Sequence, residues 1–210
     1  QIIKIIRKIE SQLGIQIGIL ADLQGPKFRI GTVKDNVKLK LNETFILDQN
    51  KLIGCEKRVF LSHKEIFSSV KKDTIILIDD GKIKLKILSR NDNEIKTKIV
   101  VGGNLSSNKG INLPNLILNT KPLTHKDKKD LKFILDNEID WIALSFVQNL
   151  KDVNYVKKFI KGKKPLISKI EKPSALQELN KIIDISDGIM VARGDLGIEI
   201  PSEEVPLLQK

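Results

Sequence analysis

Leu166-Ile-Ser-Lys-Ile-Glu171 and, one segment later, Gly188-Ile-Met-Val-Ala-Arg-Gly-Asp195 are the stretches on which the fold turns. Each begins apolar, as a buried strand does, and ends in charge. In a strand, side chains two apart point to one face, so Lys169 and Glu171 share a side. Twenty-four residues after Glu171, Asp195 closes the second run beside Gly194. Two carboxylates, a lysine and a glycine-bearing turn at successive strand ends suit a divalent metal and a phosphate. By pattern alone they also suit a salt bridge at a barrel mouth, with Lys169 or Arg193 as the cation.

Working outward, the spacing predicts strands at Trp141–Phe146, Pro165–Ile170 and Gly188–Ala192, separated by helices at Leu150–Ile160 and Ser174–Ile185. Alternation of this kind builds a parallel sheet. An earlier apolar, β-branched run, Ile15–Leu20, adds a strand that breaks at Asp22-Leu-Gln-Gly-Pro26. The four strand ends carry Asp22, Ser145-Phe146, Lys169/Glu171 and Arg193-Gly194-Asp195. Polar ends on buried strands are where (β/α)8 barrels keep their chemistry. The expected class is therefore α/β, a partial (β/α)8 barrel with about four of its eight strands.

Other helices flank this series. Ile2, Ile5, Ile6, Ile9 and Leu13 have helical spacing, closed by Gly14. Thr124-His-Lys-Asp127 resembles a capping box, ahead of an apolar stripe of Leu131, Ile134 and Leu135. Between the first strand and this helix the period changes to two. Val37–Leu41, Thr44–Leu47, Val59–Ser62, Thr74–Ile78, Lys82–Leu88 and Glu94–Val101 read as short strands, with Asp79-Asp80-Gly81-Lys82 as a hairpin turn. The expected organisation is residues 1–28 and 122–210 as one α/β domain, interrupted by an all-β, barrel-like domain over 29–121.

The net charge is +11, yet the lysines are spread along the chain and aromatics make up only 4% of it. A composition bias explains that better than a nucleic-acid surface. A general positive field would steer anionic substrates inward. The lone Cys55 fits a reducing compartment, and having only His63 and His125 beside it argues against a Cys/His zinc site. Both histidines read as surface residues. No apolar run is long enough for a membrane span. Gly25-Pro-Lys-Phe-Arg-Ile-Gly31 lacks the Lys-Ser/Thr pair of a Walker A loop, so any nucleotide chemistry uses another architecture.

In combination and in order, Ala21–Arg29, Asp79-Asp80-Gly81, Asn108–Pro114, Leu123–Asp127, Ala143–Phe146, Ile167–Glu171 and Ser186–Pro201 resemble the pyruvate kinase family. The resemblance runs over essentially the whole chain. It implies phosphoryl transfer from phosphoenolpyruvate to ADP, giving pyruvate and ATP, within glycolysis. It implies that Glu171 and Asp195 hold Mg²⁺, with Mn²⁺ as a substitute. By the same resemblance Lys169 stabilises the transferring phosphoryl group and the enolate. Gly194 and Asp195 offer backbone N–H groups to the substrate carboxylate, Ser145 and Phe146 line the site, and Arg29 and Lys109 meet nucleotide phosphates as the inserted domain closes.

Two departures stand out. Asp22 matches a carboxylate of the family's monovalent-cation site, but Lys27 stands where potassium-dependent members have glutamate. Leu23 and Gln24 fit the lysine-bearing subgroup too, so K⁺ is expected to be unnecessary. The family pattern also places further barrel strands and an effector domain outside these 210 residues, so the piece alone is expected to be inactive and aggregation-prone. The parent enzyme is expected to be a cytoplasmic homotetramer, with no membrane and no nucleic-acid partner. An aldolase-type barrel using Mg²⁺ and an enolate is the other enzyme reading, and it lacks an inserted β domain bearing Asn108-Lys-Gly110.

Overall fold

Four short strands carry the α/β part: β1 (Leu20–Leu23), β10 (Trp141–Leu144), β11 (Leu166–Ile170) and β12 (Gly188–Val191). They lie side by side in that order, all parallel. The computed structural model describes residues 1–114, 116 and 120–210. It divides into two units, Gln1–Pro26 with Lys121–Ala192, and Lys27–Thr120 with Arg193–Lys210.

In the first unit each strand has two uses for its two faces. Leu23, Ile142, Leu144, Leu166 and Ile170 are buried among helical residues such as Leu131, Val153, Val156 and Ile182. The helices are α3 (His125–Leu135), α4 (Leu150–Ile160), α5 (Pro173–Leu176) and α6 (Leu179–Ile185). Helix α3 starts with a complete capping box. The Thr124 hydroxyl accepts from the Asp127 N–H, and the Asp127 carboxylate accepts from the Thr124 N–H. Helix α4 begins at an Asn149 side-chain cap and ends at left-handed Lys161. Helix α1 (Ile2–Leu13) stops at Gly14, φ 66°, as its sequence predicts.

Two expectations shift. The first strand is not Ile15–Leu20 but Leu20–Leu23. The backbone N–H groups of Ile17 and Ile19 go to the carboxylates of Glu10 and Asp140, and a donor so used is lost to a sheet ladder. Asp22 therefore lies within the strand. The helix expected over Ser174–Ile185 is two, broken at Gln177-Glu178, where the Gln177 and Glu178 N–H groups close tight bonds to Ser174 and Ala175.

The second unit is built mainly of β structure. Strands β2 (Val37–Leu39), β3 (Thr44–Asp48), β4 (Arg58–Phe60), β5 (Ile75–Ile78), β6 (Ile83–Arg90), β7 (Glu94–Val101), β8 (Gly103–Leu105) and β9 (Ile111–Asn112) follow one another. Six form one sheet in the order β4-β3-β7-β6-β5-β9, and β2 pairs with β8. Along β7 the alternation is plain: Ile95, Thr97 and Ile99 are buried while Lys96 and Lys98 face out. Thr97 is a tolerable polar residue there because its hydroxyl donates to the Phe45 carbonyl at 2.7 Å. The unit is not all-β. Helix α2 (Lys64–Ser69) buries Ile66 and Phe67, and the helices α7 (Arg193–Glu199) and α8 (Val205–Gln209) belong to the same unit. In α2 two large apolar side chains adjacent in sequence find the core from a single helical turn, which a period-two reading overlooks.

The path from β7 into β8 depends on one glycine. A Cβ at Gly102 would overlap the Leu39 carbonyl oxygen, which is backbone and cannot swing away. Gly102→Ala is expected to separate β8 from β2 and to lower the denaturation midpoint measurably. A midpoint equal to that of the parent chain would show that the ribbon adapts.

Candidate functional site

Lys169 is the centre of a buried polar cluster in the first unit. It stands on the face of β11 opposite Ser168 and Ile170, which are turned toward the helices. Only 9% of Lys169 is exposed. Its Nζ lies 2.9 Å from Asp22 Oδ2, 2.9 Å from Glu171 Oε1 and 3.0 Å from Ser145 Oγ. Ser145 in turn donates to Asp22 Oδ1 at 3.1 Å. Three successive parallel strands thus deliver one ammonium, two carboxylates and a hydroxyl to one place. The shared face of Lys169 and Glu171, expected from the two-residue period, is present.

Burial works against the charged lysine, but the hydrogen bonds it donates to Asp22 and Glu171 outweigh it, and the Lys169 pKa is raised above its ordinary value. The ammonium is therefore kept at neutral pH. Two carboxylates against one ammonium leave a single net negative charge among these groups.

Glu171 is itself held from two sides. It is 1% exposed, and the Phe146 N–H donates to its Oε2 at 2.8 Å. Phe146 makes that bond from a left-handed backbone, φ 56°, where a bulky residue is uncommon and costs on the order of 1–3 kcal/mol. Sequence pattern pointed to Ser145 and Phe146 only as a strand end. The strand stops at Leu144, and the turn just after it is what delivers both groups.

The donor set fits Mg²⁺ in kind. The carboxylates of Glu171 and Asp195 are hard oxygen donors, and Mg²⁺ binds through one or two carboxylates while keeping waters or substrate oxygens. Among the described residues no group of three or more His, Cys, Asp or Glu side chains forms an all-protein metal cage.

The second unit holds the remaining predicted residues. Arg29 bridges to Gly110, and its Nη1 donates to the Asn108 carbonyl at 2.9 Å. Lys109 Nζ lies 2.9 Å from Asp79 Oδ1. The Lys109 hydrogen bond, helped by Lys82, holds the Asp79 carboxyl below its ordinary pKa. Asp79 was legible as a turn residue and as part of a family motif, but not as a partner of Lys109. Its second role depends on a residue thirty positions away, so a local reading does not find it. Gly194 and Asp195 lie in the first turn of α7, and a Cβ built on Gly194 meets no described atom within 4 Å. Lys27 Nζ stands 4.0 Å from Asp195 Oδ1. Asp22, expected at a monovalent-cation site, pairs with Lys169.

The model of the pyruvate kinase barrel domain matches residues 1–210. The chain belongs to the pyruvate kinase family. It is 49% identical over 209 residues to a pyruvate kinase of Methylorubrum extorquens, covering 99% of this chain and 44% of that protein. A pyruvate kinase of Agrobacterium vitis is 47% identical over 210 residues, covering 98% of this chain and 44% of the relative. Among solved structures, a pyruvate kinase from Cryptosporidium parvum superposes with a TM-score of 0.90 at 32% identity, covering 97% of this chain and 44% of that one. The chain thus spans less than half the length of these relatives. The family match takes the place of the aldolase-type reading. Among the described residues no helix is long and apolar enough to cross a membrane.

Because Lys169 has its pKa raised by folding, its contribution to stability is complete below the unfolded lysine's value of 10.5 and is lost as pH rises through the higher folded value. Melting curves should therefore show no change from this group between neutral pH and about pH 9, and a loss only in the alkaline range. Lys169→Met removes the ammonium that Asp22, Glu171 and Ser145 share, and is expected to destabilise by about 3–5 kcal/mol in denaturant titration. A cost near zero would mean that water or a neighbour already neutralises the carboxylates.

Proposed function

We propose that this chain carries the central part of a site that moves a phosphoryl group from phosphoenolpyruvate to ADP, giving pyruvate and ATP. The observation that carries the reading is the buried ammonium of Lys169, held between Asp22, Glu171 and Ser145, in a member of the pyruvate kinase family. Phosphoryl transfer calls for positioning and neutralisation of charge more than for covalent participation by the protein. A fixed ammonium, protonated at neutral pH, meets that demand. Lys169 neutralises the transferring phosphoryl oxygens and the enolate oxygen left behind.

On the family's pattern, Glu171 and Asp195 hold Mg²⁺, which supplies Lewis-acid charge to the substrate oxygens when bound. Mn²⁺ can replace it. Gly194 and Asp195 offer N–H groups to the substrate carboxylate, and the open space at Gly194 supports a close backbone approach. Ser145 and Phe146 line the substrate. Arg29 and Lys109 meet nucleotide phosphates, and the β-rich part acts as a lid that excludes water. The barrel expected from sequence, with further strands supplied by chain outside these residues, belongs to the same proposal. Ile2, Ile5, Ile9 and Leu13 on α1 are exposed, which supports an incomplete apolar surface and an inactive isolated piece. The parent enzyme is proposed as a cytoplasmic, glycolytic homotetramer.

K⁺ is proposed to be unnecessary. Lys27 supplies a positive charge where potassium-dependent relatives have glutamate, and its ammonium already stands near the Asp195 carboxylate.

The test is a coupled assay of pyruvate formation on the full encoded protein at constant ionic strength. Turnover without K⁺, not raised severalfold by adding it, is expected. Lys169→Met should lower kcat by about 10²–10³-fold. Absence of turnover with phosphoenolpyruvate and ADP in the presence of Mg²⁺, or a Lys169→Met variant as fast as the parent, would overturn the reading.

A further inference from the structure

We infer that Asp127, Gly25 and Phe146 form a positioning relay that sets the orientation of the Glu171 carboxylate; the inference rests on the metal-holding role proposed for Glu171. Asp127 is fully buried at 0% exposure, and its two oxygens face two different structures. Oδ2 accepts from the Thr124 N–H at 2.9 Å and the Thr124 hydroxyl at 2.6 Å, which starts helix α3. Oδ1 accepts from the Gly25 N–H at 3.2 Å. A residue needed only as a helix cap has no reason to bind a turn 102 positions away.

Gly25 sits at φ 68°, a conformation that suits glycine. It packs closely on the Ser145-Phe146 turn. A Cβ there would lie 3.0 Å from Phe146 Cδ2, 3.1 Å from the Ser145 carbonyl oxygen and 3.3 Å from Ser145 Cβ. Phe146 therefore cannot relax toward Gly25, and its left-handed backbone aims its N–H at Glu171 Oε2, 2.8 Å away. With Lys169 fixing Oε1 at 2.9 Å, both oxygens of Glu171 are anchored in direction. Asp127 and Gly25 touch no reacting group in this arrangement. They act through Phe146, as outer partners of metal ligands do.

The experiment uses Mn²⁺ alone as the probe, with free ion read from its electron paramagnetic resonance signal, on the full encoded protein. Gly25→Ala and Asp127→Ala should weaken Mn²⁺ binding by about 10-fold. Thr124→Ala removes the helix-cap hydroxyl while leaving the Oδ1 arm, so it should lower Tm yet keep Mn²⁺ affinity within about twofold. If Gly25→Ala does not fold, Phe146→Gly serves. It keeps the N–H and suits the left-handed backbone, but removes the ring that Gly25 braces, and should also weaken Mn²⁺ binding severalfold. Parent-like affinity in Gly25→Ala or Phe146→Gly overturns the relay. So does a Thr124→Ala variant that loses as much affinity as Asp127→Ala. Glu171→Gln separates the two claims. If it binds Mn²⁺ normally, Glu171 is not a ligand and the relay falls with that reading. If it binds weakly while Gly25→Ala binds normally, only the relay fails.

Discussion

The first unit is organised around a buried ammonium. An unpartnered charge in such a place costs several kcal/mol, so Lys169 is stable only if carboxylates reach it. Asp22 comes from β1, Ser145 from the turn after β10, and Glu171 from the end of β11. The strands must therefore be parallel and in the observed register, with Ala143 beside Asp22 and Ser168 beside Leu144. A slip by one residue would turn Lys169 into the helical layer and Ile170 toward the carboxylates. The ion cluster thus penalises wrong registers that the apolar residues alone would penalise less. Such specificity is a better account of it than a large gain in net stability.

Most of what repeats locally was legible in the sequence. The sequence spacing gave helix α4 its observed limits, although its Asn149 cap was not read there, and Gly14 marked the end of α1. Thr124 and Asp127 announced the start of α3, because a capping box depends on four consecutive residues. The Asp79-Asp80-Gly81 turn was equally local: all three adopt positive φ, which Asp and Gly tolerate best. Lys169 and Glu171 on one face followed from the strand period. The less regular elements were hidden because distant partners decide them. Ile17 and Ile19 resemble strand residues, but Glu10 and Asp140 take their N–H groups. The parallel pairing of β3 with β4 is a further case, since the short connection suggests a hairpin.

The site was legible as a set of residue types and only partly as a set of partners. Asp22 and Lys169 are 147 positions apart, and nothing in either neighbourhood says that they meet. Asp22 could be assigned only to a cation site by family pattern, whereas a lysine ammonium occupies one of its oxygens. Asp127 read as a helix cap because half of its hydrogen bonding is local. The Gly25 arm has no local signature apart from the glycine itself.

Phe146 sharpens the relation between fold and site. Glycine could hold the same left-handed turn without strain, and its N–H would point the same way. Glycine would also loosen the turn, because no ring would pack against Gly25 and only Ser145 would remain beside it. A phenylalanine accepts backbone strain of about 1–3 kcal/mol and gains a ring that the fold can grip. Strain of this kind persists only where the surroundings over-determine it. Here those surroundings are Gly25 against the ring and Glu171 on the N–H. The direction of the Glu171 carboxylate then depends on the packing of a whole turn, which is stiffer than a single side-chain torsion. For a carboxylate proposed to meet a small cation at a defined distance, stiffness is worth more than the strain it costs.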